Sequence, residues 1–433
     1  MPGQTLAQKI IAKACGKSTV LPGEIVTVQV DLAMAHDSSG PRRWRPKLEE
    51  LDAPLWDPEK VVIVSDHYVP AVDAASAAIL QETREFVKDY GVGHFFDMRG
   101  ICHAVLPENG LVKPGMFIAG GDSHTPTAGA FGAYAAGFGA TDMIGIAVTG
   151  ETWVSVPETI LVKLDGHFAD GVVAKDLMLR LCRDLGMDNS FKVVEYTGDA
   201  VHALSMSERM VLSNMAAELG AETGLIAPDA TTLEHIRAHG GEVTDEALSW
   251  QGDADAEYEK TYELNVSQMV PQIAAPHSPA NTSDVTDIGP VHIDQCYIGA
   301  CVGAKLEDLQ MAARVLKGRK VATSTRLLIA PATTHVTALA SADGTLQALT
   351  EAGAIIMPSG CGACAGMGAG LLSRGETCLS STNRNFKGRM GHAEANVYLG
   401  SPYSVAAAAV AGEIIDPREL LQGSGKPLAS EAA

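Results

Sequence analysis

Short apolar runs, each stopped by a loop rich in glycine, histidine or proline, recur along this chain and set its elements. Val61 to Val64, His94 to Asp97 and Met116 to Ala119 read as strands, since short apolar runs bounded by turn signals fit buried strands. Ala74 to Asp89 has the spacing of an amphipathic helix, and Thr5 to Ala14 is helical with Leu6, Ile10 and Ile11 on one face. Ile25 to Val30 reads as a strand. The following DLAMAHDSSGP reads as a loop holding Asp31, His36 and Asp37, either a plain polar turn or part of a site. Ala128 to Gly150 is small and apolar, with six glycines and Asp142. It reads as a tightly packed buried helix, not a membrane span.

The pattern continues with a strand over Thr159 to Leu164, a strong helix in DGVVAKDLMLRLCRDLG, and a strand over Lys192 to Thr197. Glu195 in that strand either lies on an exposed face or, flanked by Val194 and Tyr196, points into a cleft. SMSERMVLSNMAAELG is a further helix, with Ser207 as candidate N-cap. Gln268 to Asp287 carries three prolines without periodicity and reads as a linker or extended crossover. Strands follow over Val291 to Ile298, Leu327 to Ala330, Ile355 to Met357 and Thr377 to Ser380. At roughly 150 residues per domain, 433 residues suggest about three domains. The pattern divides as 1–154, 155–267, a linker 268–288, and 289–433. Strand and helix alternate in each domain, which predicts an α/β protein with mostly parallel sheets.

Composition narrows the partners. The net charge of -20 disfavours nucleic acid or an anionic membrane. It leaves room for a small anion, because a local arginine pair can dominate a cleft. Eight cysteines are spread thinly, and MPGQTLAQKI has no apolar leader segment. Both features predict a cytoplasmic protein with thiols in place of disulfides. Cys361 and Cys364 at C-x-x-C spacing then read as metal or redox chemistry.

The chemistry-bearing residues fall at strand ends, where open parallel sheets form their sites. Asp66 and His67 follow one strand, His103 the next, and Asp122, Ser123 and His124 the third. Cys301, Cys361 and Cys364 each follow a strand of the last domain, and the loop STNRNFKGRMG adds Asn383, Arg384, Asn385 and Arg389. Three thiolates are one short of a closed zinc or four-cysteine site. A cluster so held leaves one iron without a protein ligand, able to act as a Lewis acid. Arginine offers a planar fork for a carboxylate. Cys15, Cys102, Cys182, Cys296 and Cys378 have no such setting and read as packing residues.

The motifs SDHYVP, GICHAVLPENG, GGDSHTPTAGAFG, GCGACAGM and SSTNRNFKGRMG together resemble the aconitase superfamily, and in particular the 3-isopropylmalate dehydratase large subunits and their relatives. The resemblance runs from about Thr5 to Pro417. It implies three α/β domains around a central iron-sulfur cleft, lacking the swivelling fourth domain. It further implies one [4Fe-4S] cluster on Cys301, Cys361 and Cys364, with one iron lacking a protein ligand. By the same resemblance Asp66 and His67 form the pair that protonates a departing hydroxide. His103 pairs with Asp122, and His124 with Glu195. Arg384, Arg389, Ser123 and Asn383 bind substrate. The implied activity is hydro-lyase chemistry on a small 2-hydroxy di- or tricarboxylate such as 3-isopropylmalate, with citramalate, 2,3-dimethylmalate or homoaconitate-type acids as alternatives. The chain has no Gly-Ser-Ser-Arg-Glu motif, so a small subunit is expected to supply the serine base and the swivelling domain. One departure concerns the usual Cys-Thr-Asn-Gly-Arg run, which reads Cys301, Val302, Gly303, Ala304, Lys305 here. More remote readings are an electron-transfer iron-sulfur protein and an RNA-binding regulator. The missing fourth cysteine opposes the first, and the acidic balance opposes the second.

Overall fold

The computed structural model describes residues 3–422, which fall into two compact units. The first comprises 3–167 and 186–266, the second 168–185 and 267–422. The end of the domain expected over 289–433 therefore lies outside the described residues.

Eleven strands build the first unit. They are β1 (Ile25–Gln29), β2 (Leu32–His36), β3 (Val61–Ser65), β4 (His94–Asp97), β5 (Phe117–Gly120), β6 (Tyr134–Gly137), β7 (Glu151–Ser155), β8 (Glu158–Asp165), β9 (Lys192–Thr197), β10 (Thr223–Ile226) and β11 (Lys260–Asn265). A five-stranded sheet runs β4-β3-β2-β5-β6 and is parallel throughout. A four-stranded sheet, β10-β9-β8-β11, is parallel as well, and β1 pairs antiparallel with β7.

The expected loop after β1 is in fact β2, at the centre of the five-stranded sheet. All five residues of LAMAH are buried, as a parallel strand covered on both faces requires. The segment expected as one glycine-rich helix is split. Thr125–Phe131 is a 3₁₀ turn, Tyr134–Gly137 is β6, and only Ala140–Thr149 is α-helical. Glycine at position 129 lets the 3₁₀ turn press on β10, because a Cβ there would collide with the Gly224 carbonyl. The helix expected to be capped by Ser207 begins earlier, at Met206, with Ser205 as its cap.

The second unit holds a seven-stranded sheet of β12 (Gln272–Ala274), β13 (Thr282–Asp284), β14 (Gln295–Ile298), β15 (Arg326–Ile329), β16 (Ile355–Ile356), β17 (Thr377–Ser380) and β18 (Asn396–Leu399). Their order is β13-β12-β18-β17-β14-β15-β16, parallel from β18 to β16, with β12 antiparallel to both its neighbours. The proline-rich stretch read as a linker thus contributes β13 at the sheet edge and β12 beside it, with Pro271, Pro276 and Pro279 outside both strands. The helix Ala174–Leu185 belongs by its contacts to this unit, although in sequence it lies between β8 and β9 of the first. Its Asp176 accepts hydrogen bonds from the Gln272 and Val173 backbone amides, at 2.8 and 2.9 Å. Among the described residues no helix is long and apolar enough to cross a membrane.

Candidate active-site residues

In the first unit, four neighbouring parallel strands deliver acids and histidines from their carboxyl ends. β3 ends at Ser65, and the next two residues are Asp66 and His67. The imidazole Nδ1–H of His67 donates to Asp66 Oδ1 at 2.7 Å. Asp66 is fully buried and its other oxygen accepts from the Cys102 backbone amide at 2.8 Å. Burial raises the Asp66 carboxyl, but the charge and hydrogen bond of His67 outweigh it and leave its pKa below the ordinary value. Asp37, just past β2, accepts from the His67 and Tyr68 amides at 3.0 and 2.9 Å. Burial, then the nearby Asp66 charge, push the Asp37 carboxyl up. Of two adjacent acids, one is held anionic and the other drawn toward its proton. An anionic Asp66 favours the charged imidazole through Nδ1, and the ring's Nε2 lies 4.0 Å from Asp122 Oδ2.

Asp122, two residues past β5, is the second hub. It accepts from His103 Nε2 at 2.7 Å and from the His124 backbone amide at 2.8 Å. Burial raises its carboxyl, yet His103 and the surrounding donors carry it well below the carboxylate range. Ser123 beside it is exposed, whereas His124 is buried. The expected partner of His124 is corrected. His124 Nε2 donates to Glu218 Oε1 at 3.0 Å, not to Glu195. Glu195, in the middle of β9, accepts the Ala7 amide at 3.0 Å in the first turn of Leu6–Ala14 and lies 3.5 Å from the Tyr258 hydroxyl. Its carboxylate thus fills an amide left open at a helix start, and burial raises it to about 7.

Glu218 was missed as a site residue, and for His36 the sequence leaves both a polar turn and a site open. His36 stacks on His67 with ring centroids 3.8 Å apart and planes 9° apart. Its Nδ1 accepts the Ser38 amide at 3.2 Å, and its Nε2 lies 3.6 Å from Asp122 Oδ2. The available signal was the continuous apolar run LAMA before it. For Glu218 the signal was an acid set among Met215, Ala216, Ala217 and Leu219.

In the second unit, Cys301 follows β14, Cys361 precedes a 3₁₀ turn after β16 that contains Cys364, and Asn383 follows β17. The thiols of Cys301 and Cys364 both approach Asn383 Oδ1, at 3.7 and 4.0 Å. Cys301 and Cys364 are buried and Cys361 is half-buried. Behind them stands Tyr297, whose hydroxyl is pushed up by burial and then by the Cys364 and Cys361 thiols. Asn385 in the same loop donates to the Ala275 and Val397 carbonyls at 2.9 and 3.1 Å. Lys305 is buried, and its ammonium lies 2.8 Å from Asp308 in the first turn of Leu306–Leu316. Arg384 and Arg389 are half-buried. The buried Nε of Arg389 has no hydrogen-bond partner among the described residues, as suits a guanidinium kept for an external anion. Two soft sulfur donors on one amide, with a third thiol at the start of the same turn, suit iron-sulfur ligation better than a hard cation.

Comparison with known proteins finds relatives along nearly the whole chain. The model of the Aconitase family (aconitate hydratase) matches residues 8–292 and 281–412. The "3-isopropylmalate dehydratase large subunit 1" of Methanopyrus kandleri is 45% identical over 97% of this chain and 100% of its own length. The protein of that name from Pyrococcus furiosus is 43% identical over 98% and 100%. The "Methanogen homoaconitase large subunit" of Methanocaldococcus jannaschii is 42% identical over 96% and 99%.

Proposed function

Since this chain belongs to the aconitase family, an assignment its full-length relatives share, we propose that it is the catalytic large subunit of a hydro-lyase that dehydrates and rehydrates a small 2-hydroxy di- or tricarboxylate. The observation that carries the reading is the Asp66–His67 pair, a buried carboxylate 2.7 Å from an imidazole at a strand end. Hydroxide is a poor leaving group, and a positioned imidazolium lowers the cost of its departure. His67 Nε2–H is the proton for the leaving oxygen, Asp66 holds the charge, and Asp37 fixes the backbone that presents the ring. Asp122, with His103, and Glu218, with His124, orient the remaining imidazoles. Arg384 and Arg389 bind the substrate carboxylates, aided by Ser123 and Asn383.

Cys301, Cys361 and Cys364 would hold a [4Fe-4S] cluster, which when bound supplies a Lewis-acidic iron for the hydroxyl. The base that removes the carbon-bound proton is assigned to a small subunit, as the relatives' "large subunit" names suggest. The 3-isopropylmalate dehydratase names make 3-isopropylmalate the first substrate to try. The homoaconitase names make a longer tricarboxylate the second.

The test is an anaerobic panel of hydroxy acids given to the chain co-expressed with a cognate small subunit. Turnover is followed by the ultraviolet absorbance of the new double bond. Turnover of 3-isopropylmalate by the pair, with little by this chain alone, is expected. No turnover of any hydroxy acid by a cluster-loaded pair refutes the assignment.

A further inference from the structure

We propose that Lys175 is a positioning residue for the Asn383–Arg384 segment and that its ammonium adds to the cationic field receiving an anionic substrate; this rests on the hydro-lyase reading above. Lys175 is the second residue of helix Ala174–Leu185 and is 1% exposed. Its Nζ donates to the Thr382 carbonyl at 2.7 Å, across 207 residues of sequence.

Two physical rules oppose a lysine here. The first turn of a helix disfavours a cation, because the macrodipole is positive there. Burial disfavours the charged form as well. Asp176, the next residue, shows what that position ordinarily selects, a carboxylate accepting backbone amides. Broken local rules concentrate at functional positions.

The segment that Lys175 holds joins the cysteines to the arginines. Ser381 accepts the Gly299 amide at 3.1 Å, two residues before Cys301. The Thr382 amide donates to Ser380 Oγ at 3.1 Å. Asn383 follows, in contact with Cys301 and Cys364, and then Arg384. One end of this short run is thus tied to the Cys301 loop and its middle to Lys175. A neutral amide could hold a carbonyl at lower cost. The ammonium adds a charge that low-dielectric surroundings screen poorly, at a carbonyl one residue along the chain from Asn383 and two from Arg384, which in the proposed function bind the substrate.

The test uses K175M, K175Q and K175R in the anaerobic complex with its small subunit, with hydrogen exchange measured separately on the cluster-free chain. For K175M we expect KM to rise about tenfold while kcat stays within about threefold, the signature of lost substrate binding. Iron per chain should be unchanged. In the cluster-free chain, amides of 381–385 should exchange faster in K175M, with the rest of the second unit unaffected. K175Q, a neutral donor, should restore slow exchange but leave KM raised, and K175R should restore both. Unchanged exchange at 381–385 in K175M, or in the equally donor-less K175A should K175M not fold, overturns the positioning role. A K175Q enzyme with wild-type KM overturns the charge role. A wild-type complex without hydro-lyase turnover defeats the function and with it the charge role, while the exchange comparison still decides positioning.

Discussion

Glu195 offers a test that separates structural from catalytic acids by pH alone. Its carboxyl is raised by burial from 4.5 to about 7. The folded chain therefore holds this proton more tightly than the unfolded chain does, and the stability it brings is full below pH 4.5. That stability declines as pH rises from 4.5 to about 7, then stays level. At 1.4 kcal/mol per pKa unit, the whole change is about 3 kcal/mol. Glu195→Gln mimics the protonated form and keeps an oxygen for the Ala7 amide. The variant should match the wild type near pH 4.5 and exceed it by about 3 kcal/mol at pH 8. All four tryptophans, Trp44, Trp56, Trp153 and Trp250, lie in the first unit. Urea unfolding followed by tryptophan fluorescence at pH 4.5 to 8 thus reads the transition that matters. Activity in the complex should stay within about threefold, since the changed group caps a helix. A stability difference between the two proteins that does not vary with pH would refute the burial argument. A large loss of activity would return Glu195 to the catalytic set.

Three further outcomes follow from the geometry. Glu218→Gln removes a buried charge-assisted bond to His124 and should cost about 1.5–3 kcal/mol, or ten- to a hundredfold in kcat/KM, in steady-state assays. Arg389→Lys keeps the charge but loses the fork, so kcat/KM should fall by roughly one to three orders of magnitude, and unchanged kinetics would place Arg389 outside the site. Serine at Cys301, Cys361 or Cys364 should abolish anaerobic iron incorporation, whereas serine at the buried Cys182 should leave roughly four irons per chain, read by iron and sulfide analysis.

The strand-end residues were legible because apolar runs stop abruptly at polar loops in this sequence. Asp66, His67, His103, Asp122 and His124 were readable from that alternation alone. So were the cysteines after β14 and around the turn beyond β16. Two kinds of information were not readable. Only Val30 and Asp31 separate β1 from β2, yet the two strands enter different sheets. The sequence there looks like one strand and a loop, and His36 went with the loop. Partners distant along the chain were hidden too. Glu218 meets His124 across 94 residues, and neither position carries a periodic mark of that contact. Glu195 looked the better acid because an isolated charge in a strand is conspicuous. Its observed partner is the Ala7 amide, a contact no local pattern announces.

The excursion of helix Ala174–Leu185 into the second unit has a consequence for synthesis. Its anchors are made late: Gln272 follows Asp176 by 96 residues, and Thr382 follows Lys175 by 207. At roughly 5–20 residues per second, the helix waits about 5–20 s for its first anchor and about 10–40 s for its second. Meanwhile the ribosome delivers β9, β10 and β11, which complete a sheet of the first unit. The chain therefore matures in an interleaved order, with an amphipathic helix held in waiting beside a nearly finished neighbour. A nascent chain stalled between residues 186 and 266 would carry that helix without its partners, and is the form most in need of a chaperone.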